Sequence, residues 1–539
     1  DHPRIPLPVA LFGSERANSA GINLADGREQ QRLAESCRQA MAEPLVAAPI
    51  VGGREHSGRL RKIMCPADLE RVAGEVAEAD VALAETALGL ADSAQPGWDR
   101  RPASERASIL REAAAALERE AARFTAICVT EGGKSVPDSI AEVREAVDFL
   151  RYYAYRAELE FAQPLALPGP TGESNRLRLR GRGVFACISP WNFPLAIFTG
   201  QVAAALAAGN GVIAKPAAQT PQVAAAMVRL LHRAGVPGDV LHLVPGPGST
   251  VGSALVADPR IAGVVFTGST DTARLINRAL AARDGPLAVL IAETGGQNAM
   301  LVDSSALPEQ VVNDALQSAF NSAGQRCSAL RVLYVQQDIA PRVLELLAGA
   351  MDQLVVGDPA LLSTDVGPVI DAASLALLEE HASAIVAGAR WQHRAPLPAG
   401  LRRGHYFAPL AVEIDGISRL EREVFGPVLH VVRYAASDLD KVVDEINDSG
   451  YGLTLGVHTR IDSVARRVAM RARVGNVYVN RNMIGAVVGV QPFGGCGLSG
   501  TGPKAGGPHY LPRFATEQTI TTNTAAVGGN ATLLSLGEG

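Results

Sequence analysis

The sequence predicts an α/β protein with a parallel, doubly wound sheet, and two observations support this fold class. From Gly183 to Glu293, short apolar runs alternate with alanine-rich helical runs; the strand-like runs are GVFACIS, GVIAKPA, VLHLVPG, IAGVVFTG and LAVLIAE. A second alternating stretch extends from Asn298 to Asn480. Strands that alternate with helices form parallel sheets, and such sheets bind ligands at the carboxyl ends of their strands.

The segments outside the alternating regions predict an N-terminal arm, a helical region and two strand-like segments. The first 45 residues mix Pro, Gly, Asn and Ser around a helical stretch from Glu29 to Met41, which indicates an arm. From Pro66 to Ala162 the spacing of Ala, Glu and Arg predicts amphipathic helices. Between Phe161 and Arg182, LPGPTGE followed by alternating RLRLRGRG predicts a projecting strand or hairpin. The segment after Pro512, RFATEQTITTN, is also strand-like.

Composition excludes several classes of protein. The 539 residues are 47% hydrophobic and 19% charged, which excludes disorder, and a prior of about 150 residues per domain suggests roughly three to four domain-sized units. With 50 basic and 55 acidic residues, the net charge of −5 provides no basic surface for nucleic acid or an anionic membrane. No apolar run approaches the ~18 residues of a membrane-spanning helix.

Cysteine and histidine usage indicates the compartment and argues against a metal site. The six cysteines are dispersed without a CxxC pair, which is typical of a reducing environment, so we expect a cytoplasmic protein. The ten histidines lack metal-ligand spacing, and we therefore predict no metal.

Three polar residues at strand ends or in small-residue segments are candidates for catalysis. A lone thiol is usually a small core side chain, but Cys327 in NSAGQRCSALR has Gly, Gln, Arg and Ser as neighbours. Glu293 in IAETGGQN follows an apolar strand, and the Gly-Gly turn beside it gives a general base room to move. Asn192 in ISPWNFP could donate its amide to an oxyanion. Each residue alone could equally be structural.

Two glycine-containing turns are candidates for binding phosphate. FTGST, which includes Gly268 and Ser269, ends a strand directly before the helical run DTARLINRALA, and a helix N-terminus suits a pyrophosphate. VPGPGSTVG contains Gly248 and Gly252, but its glycines miss the GxGxxG spacing by one residue, so a plain turn is equally favoured. EGGKS lacks the first glycine of a Walker A loop, because Cys128 occupies that position.

Seven segments in fixed order resemble the aldehyde dehydrogenase superfamily: SPWNFP, AKPAAQTP, FTGST, ETGGQN, GQRCS, EVFGPV and QPFGG. YGLTLGVHTR and VGNVYVNRNMIGAVVGVQPFGGCGLSG more narrowly resemble the L-glutamate γ-semialdehyde dehydrogenase modules of bacterial proline utilization A proteins. PRIPLPVALFGSERANSAGINL resembles the connector that precedes such modules. The resemblance implies a Rossmann-like NAD-binding domain, an α/β catalytic domain and a β-flap for oligomerization.

The resemblance also implies a reaction and a set of site residues. It implies NAD-dependent oxidation of L-glutamate γ-semialdehyde to L-glutamate, with Cys327 as nucleophile, Glu293 as base for the hydrolytic water, and Asn192 as oxyanion donor. The implied cofactor contacts are Lys215, Ser269, Gly268, Trp191, Gly248, Gly252, Glu423 and Phe425. The implied substrate contacts are Phe193, Ser328, Gly485, Ala486 and Phe493.

Some features leave alternatives open. Many NAD-preferring relatives carry Glu three residues after the motif lysine, whereas this chain has Ala218, so strict selection of NAD over NADP is in question although we expect NAD. Arg326 could lower the pKa of the neighbouring thiol. The alternatives to the implied activity are a dehydrogenase for another acid-bearing aldehyde, such as succinate semialdehyde, and a catalytically silent assembly domain.

The predicted organisation combines these elements. It comprises an arm or connector (1–45), an NAD-binding domain (46–160 and 183–297, with part of 481–508), an oligomerization flap (161–182 and 509–530) and a catalytic domain (298–480). An exposed strand edge is an aggregation liability, so we expect the flap to pair with a second subunit in a homodimer. The connector suggests that the chain is a piece of a longer polypeptide that carries a proline dehydrogenase domain.

Overall fold

The computed structural model describes residues 5–42, 45–401 and 403–527. The α-helices in these ranges are α1 (Gly27–Ala42), α2 (Val81–Arg100), α3 (Ala103–Arg119), α4 (Ala121–Gly132), α5 (Val136–Phe161), α6 (Ala196–Ala207), α7 (Pro221–Arg233), α8 (Ser253–Ala257), α9 (Thr270–Ala281), α10 (Pro308–Phe320), α11 (Ala340–Met351), α12 (Ala372–Val386), α13 (Leu439–Asp448) and α14 (Asp462–Arg471).

The strands are β1 (Leu45–Ala47), β2 (Ile50–Val51), β3 (Arg54–Glu55), β4 (Leu60–Cys65), β5 (Asp68–Ala77), β6 (Leu165–Leu167), β7 (Glu173–Gly181), β8 (Val184–Ile188), β9 (Gly211–Lys215), β10 (Leu241–Leu243), β11 (Ile261–Thr267), β12 (Val289–Glu293), β13 (Ala299–Val302), β14 (Val332–Gln336), β15 (Gln392–Arg394), β16 (Leu410–Glu413), β17 (Val428–Tyr434), β18 (Tyr451–Gly452), β19 (Thr454–His458), β20 (Asn476–Val479), β21 (Cys496–Gly497) and β22 (Ala515–Asn523).

The first large sheet has the order β12-β11-β8-β9-β10-β2-β3. Strands β8 to β12 are parallel and correspond to the five predicted strand-like runs, while β2 and β3 add an antiparallel hairpin. Alternate residues of β8 face different layers: Phe185 and Cys187 pack with α6 and α7, and Val184 and Ala186 pack with α2, α8 and α9. Burial on both faces explains the continuous apolar sequence and confirms the doubly wound prediction.

The second large sheet has the order β15-β16-β17-β14-β13-β19-β20, and every strand except β15 is parallel to its neighbours. Its two faces are also covered, because Leu333 and Val335 pack with α10 and α11, whereas Val332 and Tyr334 pack with α13 and α14. This sheet occupies the predicted second alternating stretch.

The helical prediction is wrong at its start. Asp68–Ala77 is strand β5, which pairs antiparallel with β4 and parallel with β1, and the helical layer begins only at α2. Val72 and Val76 favour a strand, and Gly74 is a poor helix former. Backbone pairing on both edges therefore outweighs the local spacing of Glu and Arg.

The predicted projecting segment is a small sheet with the order β22-β7-β6. β22 pairs antiparallel with β7 from Ala515 opposite Gly181 to Asn523 opposite Glu173, which confirms both strand predictions. Tyr510 and Phe514, which fall inside the predicted flap range of 509–530, are instead buried in the core of the first sheet. Residues 528–530 lie outside the described residues.

The N-terminal arm is anchored to the body. Helix α1 confirms the predicted helical stretch and packs on α4. Arg16 is buried, forms an ion pair with Asp148 at 2.5 Å, and donates a hydrogen bond to the Val488 carbonyl at 2.6 Å. No helix within the described ranges is long and apolar enough to cross a membrane.

Candidate active site

A cleft of about 980 Å³ lies at the carboxyl edge of the first sheet. Lys215, Ile188, Phe266 and Ala292 pair side by side across β9, β8, β11 and β12, so these strands end at one edge. Loops after β8 and β11 line the cleft from this side, and the predicted residues in its lining are Trp191, Asn192, Gly268, Ser269, Cys327, Glu423 and Phe425.

The donor set in this cleft fits a dinucleotide. Ser269 caps α9, where its hydroxyl accepts a hydrogen bond from the Thr272 N–H at 3.2 Å, and the start of this helix suits a pyrophosphate. The Glu423 carboxyl can accept from ribose hydroxyls. A Cβ at Gly295 would lie 1.6 Å from the Glu423 carboxyl, so glycine is needed to leave it room.

Three predicted cofactor contacts do not line the cleft. Lys215 is buried at the end of β9, and burial lowers its pKa to about 8. Gly248 is exposed and begins a π-helical turn that ends at Gly252, whose Cα region faces the Lys215 stem. These residues lie at or next to the edge where the strands end, and their contact with a cofactor stays a prediction.

A second, smaller cavity of about 100 Å³ lies next to the cleft and shares the nucleophile candidate with it. Cys327, Thr267 and Thr294 line both spaces. The smaller cavity is lined by Glu293 and by the full set of predicted substrate contacts: Phe193, Ser328, Gly485, Ala486 and Phe493. A half-buried thiol therefore lies where a dinucleotide-sized cleft meets a small-molecule cavity.

The environment of Cys327 disfavours the thiolate. The pKa of its thiol is raised to about 12, mainly by burial and to a smaller extent by the carboxyl groups of Glu423 and Glu293. Arg326 acts in the opposite direction, but burial outweighs it, and its guanidinium forms an ion pair with Asp138 at 2.9 Å. Formation of the nucleophile at neutral pH therefore needs a base or an additional positive charge.

Asn192 and Glu293 have the hydrogen-bonding capacity that their predicted roles require. Asn192 Nδ2 donates to the Gln325 carbonyl at 3.1 Å, which leaves its second hydrogen for an oxyanion. Burial raises the pKa of Glu293 well above its usual value, and its Oε2 has no hydrogen-bond partner among the described residues. A Cβ at Gly494 would lie 2.6 Å from Glu293 Oε1, so this glycine leaves the carboxyl room. The raised pKa makes the ionised form of Glu293 a stronger base than an exposed carboxylate, which suits a general base.

Sequence reasoning missed Glu145. This residue lies on α5 and lines the smaller cavity together with Ser328 and Gly485. Burial raises the pKa of Glu145 to about 7, and the nearby Glu142 adds to the effect. No sequence signal marks it, since glutamate on a long amphipathic helix is usually a solvated charge.

The site therefore places a candidate nucleophile, Cys327, between a cleft of dinucleotide size and a smaller cavity. The chain belongs to the aldehyde dehydrogenase family, whose model matches residues 54–520. The family and a solved neighbour with bound NAD support NAD(P)-dependent aldehyde oxidation.

Relatives and solved structures agree with this assignment. The chain is 51% identical to the bifunctional protein PutA of Klebsiella aerogenes over 95% of its own length, but it spans only 39% of that protein. It is 37% identical to 1-pyrroline-5-carboxylate dehydrogenase of Geobacillus sp., with 88% of this chain and 93% of the relative covered. The structure of a Thermus 1-pyrroline-5-carboxylate dehydrogenase with bound NAD has a TM-score of 0.89 at 32% identity, with 94% of this chain and 99% of that chain covered.

Proposed function

We propose that this chain oxidises L-glutamate γ-semialdehyde to L-glutamate with NAD as the acceptor, which is the second step of proline catabolism. The observation that carries the proposal is the position of Cys327, which lines both the large cleft and the small cavity. The relatives named 1-pyrroline-5-carboxylate dehydrogenase, whose length the chain nearly spans, support this substrate.

The small cavity offers complementary groups to the amino-acid end and to the aliphatic stem of this substrate. The Ser328 hydroxyl and the backbone N–H groups of Gly485 and Ala486 can donate to the α-carboxylate. Gly485 has a φ of +73°, which favours glycine at this turn. The Glu145 carboxylate can accept from the α-ammonium. The rings of Phe193 and Phe493 line the space for the aliphatic stem.

The chemistry follows from the thiol, the amide and the carboxyl group. The Cys327 thiol first loses its proton to solvent, and the thiolate then attacks the aldehyde carbon. The resulting oxyanion accepts hydrogen bonds from Asn192 Nδ2 and the Cys327 N–H. The cleft residues, among them Ser269 and Glu423, would hold NAD, which would supply the hydride acceptor for oxidation of this thiohemiacetal to a thioester. Glu293 then takes a proton from water, which attacks the thioester carbonyl and releases L-glutamate and the free thiol.

A neighbouring carboxyl group supports NAD over NADP despite Ala218. Arg61 donates to the Ala218 carbonyl at 2.8 Å and forms an ion pair with Glu78 at 2.8 Å. Glu78 also acts electrostatically on Lys215. Glu78 therefore lies near the motif lysine, and although Arg61 neutralises its charge, its carboxylate can accept a hydrogen bond from a ribose 2′-hydroxyl, as acidic residues do in NAD sites.

The proposal extends to the domain roles, the localisation, the partner domain and the oligomeric state. We propose that the first sheet forms the NAD-binding domain, that the second forms the catalytic domain, and that the enzyme is cytoplasmic. The chain spans about two fifths of the bifunctional relatives, which supports a proline dehydrogenase domain as its partner. Leu165 and Ile520 are exposed on the β22-β7-β6 sheet, which supports pairing of this flap in a homodimer.

Steady-state kinetics tests the function. We expect kcat/KM to be highest for L-glutamate γ-semialdehyde with NAD, lower with NADP, and lower still for succinate semialdehyde and propanal. A higher value for succinate semialdehyde would favour the alternative substrate class. Absence of turnover with every aldehyde would favour a silent assembly domain.

A further inference from the structure

Arg331 is a fully buried cation directly before β14, and its guanidinium binds the loop that carries the nucleophile. Its Nη1 donates to the Gly324 carbonyl at 2.7 Å and to the Gly426 carbonyl at 3.1 Å. Its Nη2 donates to the Arg326 carbonyl at 2.9 Å and to the Glu423 carboxyl at 3.1 Å. The carboxyl partner offsets the cost of burying the charge, and only the fork of an arginine can serve several acceptors in one plane.

The hydrogen bond from Arg331 to the Arg326 carbonyl also orients the backbone N–H of Cys327. The Arg326–Cys327 peptide is planar and trans, so its C=O and the Cys327 N–H point in opposite directions. Besides Arg331, that oxygen also accepts from the Ala329 N–H at 3.1 Å. Fixing the oxygen therefore fixes the direction of the Cys327 N–H. A charged donor on the oxygen also polarises the amide and strengthens its N–H as a donor.

The flanking carbonyls are held by other side chains. Asn192 holds the Gln325 carbonyl, and Asn298 Nδ2 donates to the Cys327 carbonyl at 2.6 Å. Arg331 is thus the one side chain, among the described residues, with a hydrogen bond to the peptide that presents the Cys327 N–H.

We propose that Arg331 is a positioning residue that orients and polarises the Cys327 N–H of the oxyanion hole through the Arg326 carbonyl. This inference rests on the proposed function, because it assumes that an oxyanion forms next to Cys327. The role differs from that of the thiol itself. Loss of this orientation of the Cys327 N–H should affect only those reactions of Cys327 in which a carbonyl oxygen acquires negative charge.

Two reactions of Cys327 separate an effect on the oxyanion hole from an effect on the thiol itself. Acylation of Cys327 by p-nitrophenyl acetate passes through an oxyanion, whereas alkylation by iodoacetamide does not. Loss of one oxyanion-hole donor costs about 10²–10³ in rate, so weakening this donor in Arg331→Lys should slow acylation by roughly tenfold to a hundredfold. Alkylation, followed by mass spectrometry of the Cys327 peptide, should change less than about threefold, as expected of a step without a developing oxyanion.

Arg106→Lys is the matched control. Arg106 is also a buried arginine that donates to backbone carbonyls, those of Ala207, Asp99 and Arg101, but it does not line the cleft or the cavity. We expect this control to leave both reaction rates unchanged. Arg331→Gln, which removes the charge and keeps amide donors, should also slow alkylation, because the Arg331 charge acts electrostatically on the Cys327 thiolate, but it should slow acylation more.

The outcomes distinguish the inference from the proposed function. Equal loss of acylation and alkylation in the Arg331 variants, or no loss of either, would overturn the role in the oxyanion hole. Failure of both Arg331 variants to fold while Arg106→Lys folds would also overturn it, since Arg331 would then serve the fold. Absence of aldehyde oxidation by the unaltered protein would instead refute the proposed function, and the ester comparison would still decide the role of Arg331.

Discussion

Glu145→Gln tests how the small cavity recognises an amino aldehyde. Glu145 is partly buried and lines the cavity beside Ser328, and its pKa is raised to about 7. The substitution keeps the size of the side chain and removes its charge. A substrate ammonium should favour the ionised carboxyl, so the variant should bind the amino end of the substrate more weakly.

The magnitude follows from the strength of a hydrogen bond to a charged group. Such bonds contribute about 1.5–3 kcal/mol, which corresponds to a loss of roughly tenfold to 150-fold in kcat/KM for L-glutamate γ-semialdehyde. Glutarate semialdehyde, which has the carboxylate but lacks the amine, should lose less than about threefold because this bond is absent. Glu158→Gln makes the same change on α5 at a surface ion pair with Arg111, and we expect it to leave both values unchanged.

The pH dependence provides a second test of Glu145. A carboxyl with a pKa of about 7 is mostly protonated below pH 7 and mostly ionised above it. The preference for the amino substrate over glutarate semialdehyde should therefore rise with pH through 7 in the unaltered enzyme and stay flat in Glu145→Gln. An equal fall of kcat/KM for both substrates in the variant would refute the reasoning.

Three further predictions follow from the site and the flap. Ser328→Ala should lower kcat/KM for L-glutamate γ-semialdehyde by roughly tenfold to a hundredfold and for propanal much less, and equal losses would mean that Ser328 supports the nucleophile instead of binding the carboxylate. Alkylation of Cys327, whose pKa is raised to about 12, should accelerate about tenfold per unit from pH 7 to 9, and a plateau in that range would contradict this pKa. Leu165→Asp combined with Ile520→Asp should reduce the mass measured by light scattering to that of one 56.3 kDa chain, and an unchanged mass would exclude the flap as the dimer contact.

Much of the fold could be predicted because its signals are local. Strands β8 to β12 are apolar on both faces, and the helices between them separate these runs clearly in the sequence. Asp68–Ala77 could not be predicted in the same way, since its strand conformation depends on pairing with β1 and β4. The buried Tyr510 likewise depends on a distant contact, stacking on Tyr153 with ring centroids 5.8 Å apart.

The residues of the candidate site could likewise be predicted only where a local motif marks them. Cys327, Glu293 and Asn192 follow or precede apolar strands in small-residue segments, so their motifs indicate chemistry, and the structure brings them to the two adjacent spaces. Glu145 and Arg331 carry no such signal, because a charged residue in a helix or before a strand is usually solvated. Their burial results from packing between segments far apart in sequence.

The most direct test of the central claim is to trap the thioester on Cys327. Glu293→Ala should acylate but hydrolyse slowly, so mixing it with L-glutamate γ-semialdehyde and NAD should give a burst of NADH equal to the enzyme concentration. Mass spectrometry should then find one γ-glutamyl group on the Cys327 peptide, and Cys327→Ala should give neither burst nor adduct. Steady NADH formation without an adduct on Cys327, or turnover by Cys327→Ala, would contradict the account.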